Sequence, residues 1–278
     1  MYWRTKNRKF DLTGRPLVMG IVNVTLDSFS DGGKSLDPRA AVEHALRLEA
    51  EGADIIDIGG ESTRPGAAPV DVDEEMARVL PVIWKLESEL KCAISIDTYK
   101  AEVAAAALEA GAEIVNDVGG LRDPAMAGAA AAAGAGLLIM HMRGEPRTMQ
   151  EAPEYEDVTR EIREFFRQSF DRAITCGMTP EQIAFDPGIG FGKTAGHNLT
   201  LIKRMAELRV EGRPLALGAS RKSFLGQIAG AREIEQRLAP TLAVTALGRA
   251  FGVNIFRVHD VQENVYALKI TEAILNAS

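Results

Sequence analysis

Asn23, Asp97, Asn116, Asp186, Arg257 and His259 each lie at or near the end of a short apolar run, in five separate parts of the chain. Asp97, Asn116 and Asp186 offer carboxylate and amide groups suited to a flat heterocycle with amidine-like N–H donors. A buried carboxylate taking two such bonds gives planar, charge-assisted recognition. The Arg257 guanidinium matches phosphate oxygens, His259 lies two residues on, and the Asn23 amide oxygen is a hard donor suited to Mg²⁺. Lys222 and Ser223 fall where a helix is expected to start, and backbone N–H groups with a hydroxyl can hold a carboxylate there. The chemistry suggested is three adjoining subsites, for a heterocycle, a metal-bound phosphate and an anionic second substrate.

Such residues act together only if the fold gathers them. Apolar, β-rich runs recur at 17–24, 54–60, 93–97, 114–118, 137–141, 183–186, 215–220 and 254–259. Helix-like stretches at 38–51, 71–90, 100–110, 155–175, 198–208, 237–251 and 261–276 lie between or after them, the first opening on Pro38 and ending near Gly52. Strands alternating with helices call for a parallel sheet covered by helices. Eight such repeats in a chain of this length predict a TIM (β/α)8 barrel forming a single domain over 1–278, with a short N-terminal extension at 1–15. In that fold the C-terminal strand ends carry the chemistry. Side-chain alternation aims Asn23, Asp97, Asn116, Asp186, Arg257 and His259 inward at the mouth, with Asp117 and Phe185 on the opposite face. Parity does not decide between Met140 and His141, and His141 is expected to be a hydrogen-bonded supporting residue. Alanine-rich stretches from Ala104 and Ala127 need nothing beyond short, tightly packed helices.

Composition narrows the function. The 278 residues carry 32 Lys plus Arg against 39 Asp plus Glu, a formal net charge of −7, with 46% hydrophobic residues. An acidic chain of this kind argues against nonspecific nucleic-acid binding and against disorder. Cys92 and Cys176 cannot make a disulfide framework and are expected to be buried thiols. Arg4, Lys6, Arg8 and Lys9 are followed by no apolar stretch of the signal-peptide kind, and no run approaches the ~20 apolar residues of a membrane span. A cytoplasmic location is the expectation.

Two glycine-rich polar segments, 25–33 and 59–66, follow the first two strands and suit mobile covers over a site. Each holds a residue that a bare loop tip does not need, Phe29 and Arg64. Gly192-Lys193-Thr194 looks like the end of a P-loop, but Pro187 stands where its first glycine belongs. Gly188, Gly190 and Gly192 also miss dinucleotide-binding spacing and suit a substrate-facing turn with Phe191 available for stacking. The four histidines show no zinc spacing, and no Ser-His-Asp or Cys-His signature is present.

Taken together, Gly20-Ile21-Val22-Asn23-Val24-Thr25, Asp57-Ile58-Gly59-Gly60-Glu61-Ser62-Thr63-Arg64-Pro65-Gly66 and Ser95-Ile96-Asp97-Thr98 resemble the dihydropteroate synthase family. So do Asn116-Asp117, Met140-His141-Met142, Asp186-Pro187-Gly188-Ile189-Gly190-Phe191-Gly192-Lys193, Ser220-Arg221-Lys222-Ser223 and Arg257-Val258-His259-Asp260. The resemblance implies a homodimeric barrel that joins 7,8-dihydropterin-6-ylmethyl diphosphate to 4-aminobenzoate, releasing pyrophosphate. It implies that Asp97, Asn116, Asp186 and Lys222 hold the pterin, with Met140 and Phe191 near its ring. Asn23 would ligate Mg²⁺, with Asp31 ordering the first loop around the metal and Arg64, while Arg257 and His259 take the diphosphate. Phe29, Thr63, Arg64 and Pro65 would close over 4-aminobenzoate, whose carboxylate meets Ser223. Asp97, Lys222, Arg257 and His259 are the residues expected to carry catalysis. One departure is visible: Leu26 stands where the family's first loop usually has proline. A pterin-dependent methyltransferase or a non-catalytic pterin-binding paralogue are the alternatives. The first would need neither the 220–223 segment nor the diphosphate set, and intact Asn23, Arg64, Lys222 and His259 argue against the second.

Overall fold

A computed structural model describes residues 1–25, 38–62, 67–144, 148–149 and 152–277. Its strands are β1 (Tyr2–Arg4), β2 (Lys9–Asp11), β3 (Leu17–Asn23), β4 (Ile55–Gly59), β5 (Ala93–Thr98), β6 (Ile114–Asp117), β7 (Gly136–Met140), β8 (Ile183–Asp186), β9 (Ala216–Leu217) and β10 (Ile255–Val258). The helices are α1 (Pro38–Ala50), α2 (Val72–Glu87), α3 (Ala101–Glu109), α4 (Met126–Ala132), α5 (Val158–Thr175), α6 (Ala195–Lys203), α7 (Ser223–Ala229), α8 (Leu238–Ala250) and α9 (Val261–Leu275).

Eight parallel strands run in the order β8-β7-β6-β5-β4-β3-β10-β9, and a parallel bridge between Phe185 and Leu215 joins the two ends. The sheet therefore closes on itself, as the alternation of strands and helices predicts. Its strands are buried on both faces, and their lower halves read as apolar runs. The outer faces pack under the helices: Phe166 of α5 stacks on Phe185 of β8, ring centroids 4.6 Å apart. Helix starts follow their sequence signals. Asp71 caps α2, its carboxylate accepting from the Glu74 N–H at 2.8 Å, and Asp157 caps α5 through Thr159 and Arg160.

The inner face is a separate core. Leu17, Met19, Ile55, Ala93, Ile114, Leu138, Ala184, Ala216 and Ile255 fill the lower barrel, and Trp3 and Leu12 pack beneath them. These two come from the segment expected as a plain extension. Residues 2–11 instead form an antiparallel hairpin, β1 with β2, that seals the barrel's lower end. The buried Trp3 indole donates to the Gln182 carbonyl at 2.9 Å, so its one polar atom is satisfied. The thiols depart from expectation: Cys92 is half-buried and Cys176 is exposed. No helix among the described residues is long and apolar enough to cross a membrane.

Candidate active site

Register sets the mouth. Met19 pairs with Ile55, Asn23 with Gly59, Gly59 with Asp97, Asp97 with Asn116, and Met140 with Asp186. Inward positions therefore change from aliphatic to polar as each strand ascends: Ile55 to Asp57, Ala93 through Ser95 to Asp97, Ile114 to Asn116, Ala184 to Asp186, and Ile255 to Arg257. The two-residue repeat that fills the lower core delivers the polar ring above it. Parity alone left strand β7 open; Met140 takes the inward position of Leu138, and His141 lies outside the barrel against Phe165.

Arg257 is the hub of the ring. Its Nε donates to Asp57 Oδ2 at 2.6 Å, and its Nη2 donates to Asp97 Oδ2. Asn116 Nδ2 donates to the same Asp57 oxygen at 3.0 Å. Asp57 is fully buried, and sequence reasoning missed it because it sits inside an otherwise apolar run. Its signal was an acid at inward parity in the middle of a strand. One guanidinium thus serves two carboxylates. The second oxygens, Asp57 Oδ1 and Asp97 Oδ1, are buried with no hydrogen-bond partner among the described residues, as is Ser95 Oγ. Such orphaned acceptors are costly unless a ligand supplies donors.

The electrostatics follow from this crowding. Burial raises the Asp97 carboxyl well above the ordinary carboxylate range, against the lowering pull of Arg257, and nearby Asp57 raises it further. Asp186 is likewise raised by burial, while the Gly188 N–H, donating to its Oδ1 at 2.7 Å, holds it down. Lys222 precedes α7, and its ammonium lies 4.0 Å from the centre of the Phe191 ring. Burial, helped by Arg257, pushes that amine down to about 8. His259 is pushed down to about 3 by burial and by Arg257, so it stands as a neutral imidazole whose Nδ1 meets Ser220 Oγ at 3.0 Å.

The structure brings Asn23, Asp97, Asn116, Met140, Asp186, Lys222, Arg257 and His259 to the upper strand ends, with Phe191 in the turn after β8 and Ser223 opening α7. Phe29, Asp31, Thr63, Arg64 and Pro65 lie outside the described residues. The stem leading to 63–66 is described. Glu61 accepts from Tyr99 Oη at 2.8 Å, Lys100 bonds both Glu61 and Glu75, and Arg78 Nη1 holds the Gly60 carbonyl at 2.8 Å. These partners lie 18 to 39 residues apart and had no sequence signal.

No cluster of three or more acidic, His or Cys side chains able to cage a metal occurs among the described residues. One amide oxygen at the mouth, Asn23, fits a cation that keeps most of its ligands from water and substrate phosphates.

A model of pterin-binding enzymes matches residues 19–259, the span that holds this ring. The chain is 46% identical over 262 residues to the dihydropteroate synthase of Escherichia coli, covering 94% of this chain and 93% of that one. The chain belongs to the dihydropteroate synthase family. The family's solved structures share the whole fold. The Xanthomonas albilineans dihydropteroate synthase with 4-aminobenzoic acid superposes with a TM-score of 0.93 at 42% identity, covering 100% of this chain and 99% of that one. The same organism's enzyme in complex with 7,8-dihydropteroate superposes with a TM-score of 0.91 at 40% identity, each chain covered fully. Family membership bears out the resemblance, the barrel and the synthase reading.

Proposed function

We propose that this chain condenses 7,8-dihydropterin-6-ylmethyl diphosphate with 4-aminobenzoate, giving 7,8-dihydropteroate and pyrophosphate. The observation that carries this reading is the buried ring in which Arg257 bridges Asp57 and Asp97, each with one acceptor unmet. A flat heterocycle with several N–H donors satisfies those acceptors and explains why a chain retains them. The Xanthomonas albilineans relative supports the substrates, since its structures carry 4-aminobenzoic acid and 7,8-dihydropteroate.

The pterin sits among Asp97, Asn116 and Asp186, with Lys222 above Phe191 and Met140 beside the ring. Arg257 and the neutral His259 bind the diphosphate. Asn23 would hold Mg²⁺, and a bound cation there would supply positive charge to a leaving diphosphate. By the family resemblance, Asp31 would serve the metal, and Phe29, Thr63, Arg64, Pro65 and Ser223 would receive 4-aminobenzoate. The methylene carbon–oxygen bond breaks early, the electron pair leaving with pyrophosphate. The ring then carries the positive charge, which the carboxylates stabilise, chiefly Asp97. The neutral arylamine nitrogen attacks the methylene carbon and gives up a proton. No protein nucleophile takes part; the groups position and stabilise charge.

The molecule works as a cytoplasmic homodimer in this reading. Tyr266, Ile270 and Ile274 follow one another at four-residue spacing on α9 with large exposed side chains, and Leu247 on the adjacent α8 adds to them. An apolar face of this kind suits a second copy. The deciding assay mixes the pterin diphosphate, 4-aminobenzoate and Mg²⁺ and follows pyrophosphate release. Release that depends on all three supports the synthase, and none under any condition removes it.

A further inference from the structure

Lys193 is a buried lysine with no carboxylate in contact among the described residues. It is 2% exposed, and burial lowers its amine well below the ordinary lysine range. Its Nζ meets three polar groups: it donates to the Phe191 carbonyl at 2.8 Å and the His141 carbonyl at 3.3 Å, and it lies 3.0 Å from His141 Nδ1. A charged lysine donates to that ring nitrogen and a neutral one accepts from its N–H, so either form completes the set. Two of these groups belong to the residue after Met140, at the end of β7. The third belongs to Phe191, in the turn after β8. Both Met140 and Phe191 flank the heterocycle site.

The two chain segments touch through backbone. A Cβ at Gly188 would stand 2.0 Å from the His141 carbonyl oxygen, and one at Gly192 would stand 2.3 Å from that of Arg143. Their φ values of +65° and +61° also favour glycine. Tyr155 Oη donates to the Gly192 carbonyl at 2.9 Å, and Asn198 Oδ1 accepts from the Gly190 N–H at 2.9 Å. Those bonds fix the outer side of the turn. Lys193 alone among the described side chains bonds both Phe191 and His141.

We propose that Lys193 is a positioning residue for the heterocycle slot, its side-chain nitrogen clamping the end of β7 to the turn that carries Phe191. The proposal rests on reading this mouth as the pterin site. Without the clamp the Phe191 carbonyl loses its bond, and the ring facing Lys222 loses its fixed distance from Met140. Orphaning buried acceptors of this kind weakens a site by about tenfold or more.

Isothermal titration calorimetry with the pterin diphosphate, without 4-aminobenzoate, tests this on the full chain. The proteins are the wild type, Lys193→Met, Phe191→Ala and the double variant. The expected result is pterin affinity about tenfold weaker in K193M, with the KM for 4-aminobenzoate changed less than about threefold. Because Lys193 acts through Phe191, the double variant should bind within about twofold of the weaker single variant. A folded K193M with wild-type affinity, or losses that add fully in the double variant, overturns the proposal. Wild type that binds no pterin diphosphate sinks the underlying reading instead, a separate result. Should K193M fail to fold, His141→Ala, which removes one partner, undergoes the same cycle with Phe191→Ala and the same criteria.

Discussion

Replacing Asp57 by asparagine is the sharpest probe of the polar ring. The carboxylate now takes Arg257 Nε at 2.6 Å and Asn116 Nδ2 at 3.0 Å through one oxygen and leaves its other oxygen buried and unpaired. In D57N the amide oxygen keeps the first two bonds. The charge is lost, which weakens the Arg257 contact by about 1 kcal/mol. The new NH₂ group points where the orphaned acceptor stood. For the empty protein this exchanges one unmet group for another, so the melting temperature should fall by only about 2–6 °C. For the ligand the change is worse, because an incoming N–H donor meets a donor. A lost bond plus two unmet donors costs about 2–3 kcal/mol, or roughly thirty- to 150-fold in affinity. Calorimetric titration with the pterin diphosphate measures this, with circular dichroism melts as the control. A folded D57N that binds pterin within twofold of wild type would refute the assignment of Asp57 Oδ1 as a ligand acceptor.

Asp97→Asn should depress kcat by about tenfold to a hundredfold while pterin affinity falls less, since its charge is wanted most when the ring turns cationic; steady-state kinetics showing an unchanged kcat would remove that role. Lys222 holds its proton below about 8 and loses it above. The kcat/KM for the pterin diphosphate should therefore decline as pH rises through about 8, and Lys222→Met should flatten that limb; a limb that persists in K222M assigns it elsewhere. Lys100→Met leaves Glu61 and Glu75 without their shared cation at the stem of the second loop. It should lower stability by about 3 kcal/mol and raise the KM for 4-aminobenzoate more than that for pterin; urea unfolding and kinetics with an unchanged ratio of the two KM values would reject the coupling of stem to second substrate.

Much of the fold was readable because both periods were clean. The runs at 93–97 and 183–186 became β5 and β8 nearly residue for residue, and Pro38 opens α1. The run at 215–220 shrank to the two-residue β9, with Leu215 adding one bridge to Phe185. The hairpin at 2–11 was missed because three-residue strands give no periodic signal. Within the site, parity sufficed for Asp97, Asn116 and Arg257. It could not report that Arg257 reaches 200 residues back to Asp57, nor that Lys100 gathers acids from two other elements. Lys193 failed the test for a phosphate loop and was left without a role, since its three partners come together only when two strand ends meet.

Trp3 and the hairpin beneath the barrel carry a consequence for traffic. The filled lower barrel with the hairpin beneath it offers no passage from below, so two reactants and two products share the upper end. A pterin bound deepest cannot depart while a second molecule stands above it. Entry and exit then acquire a sequence from shape alone, before any loop moves.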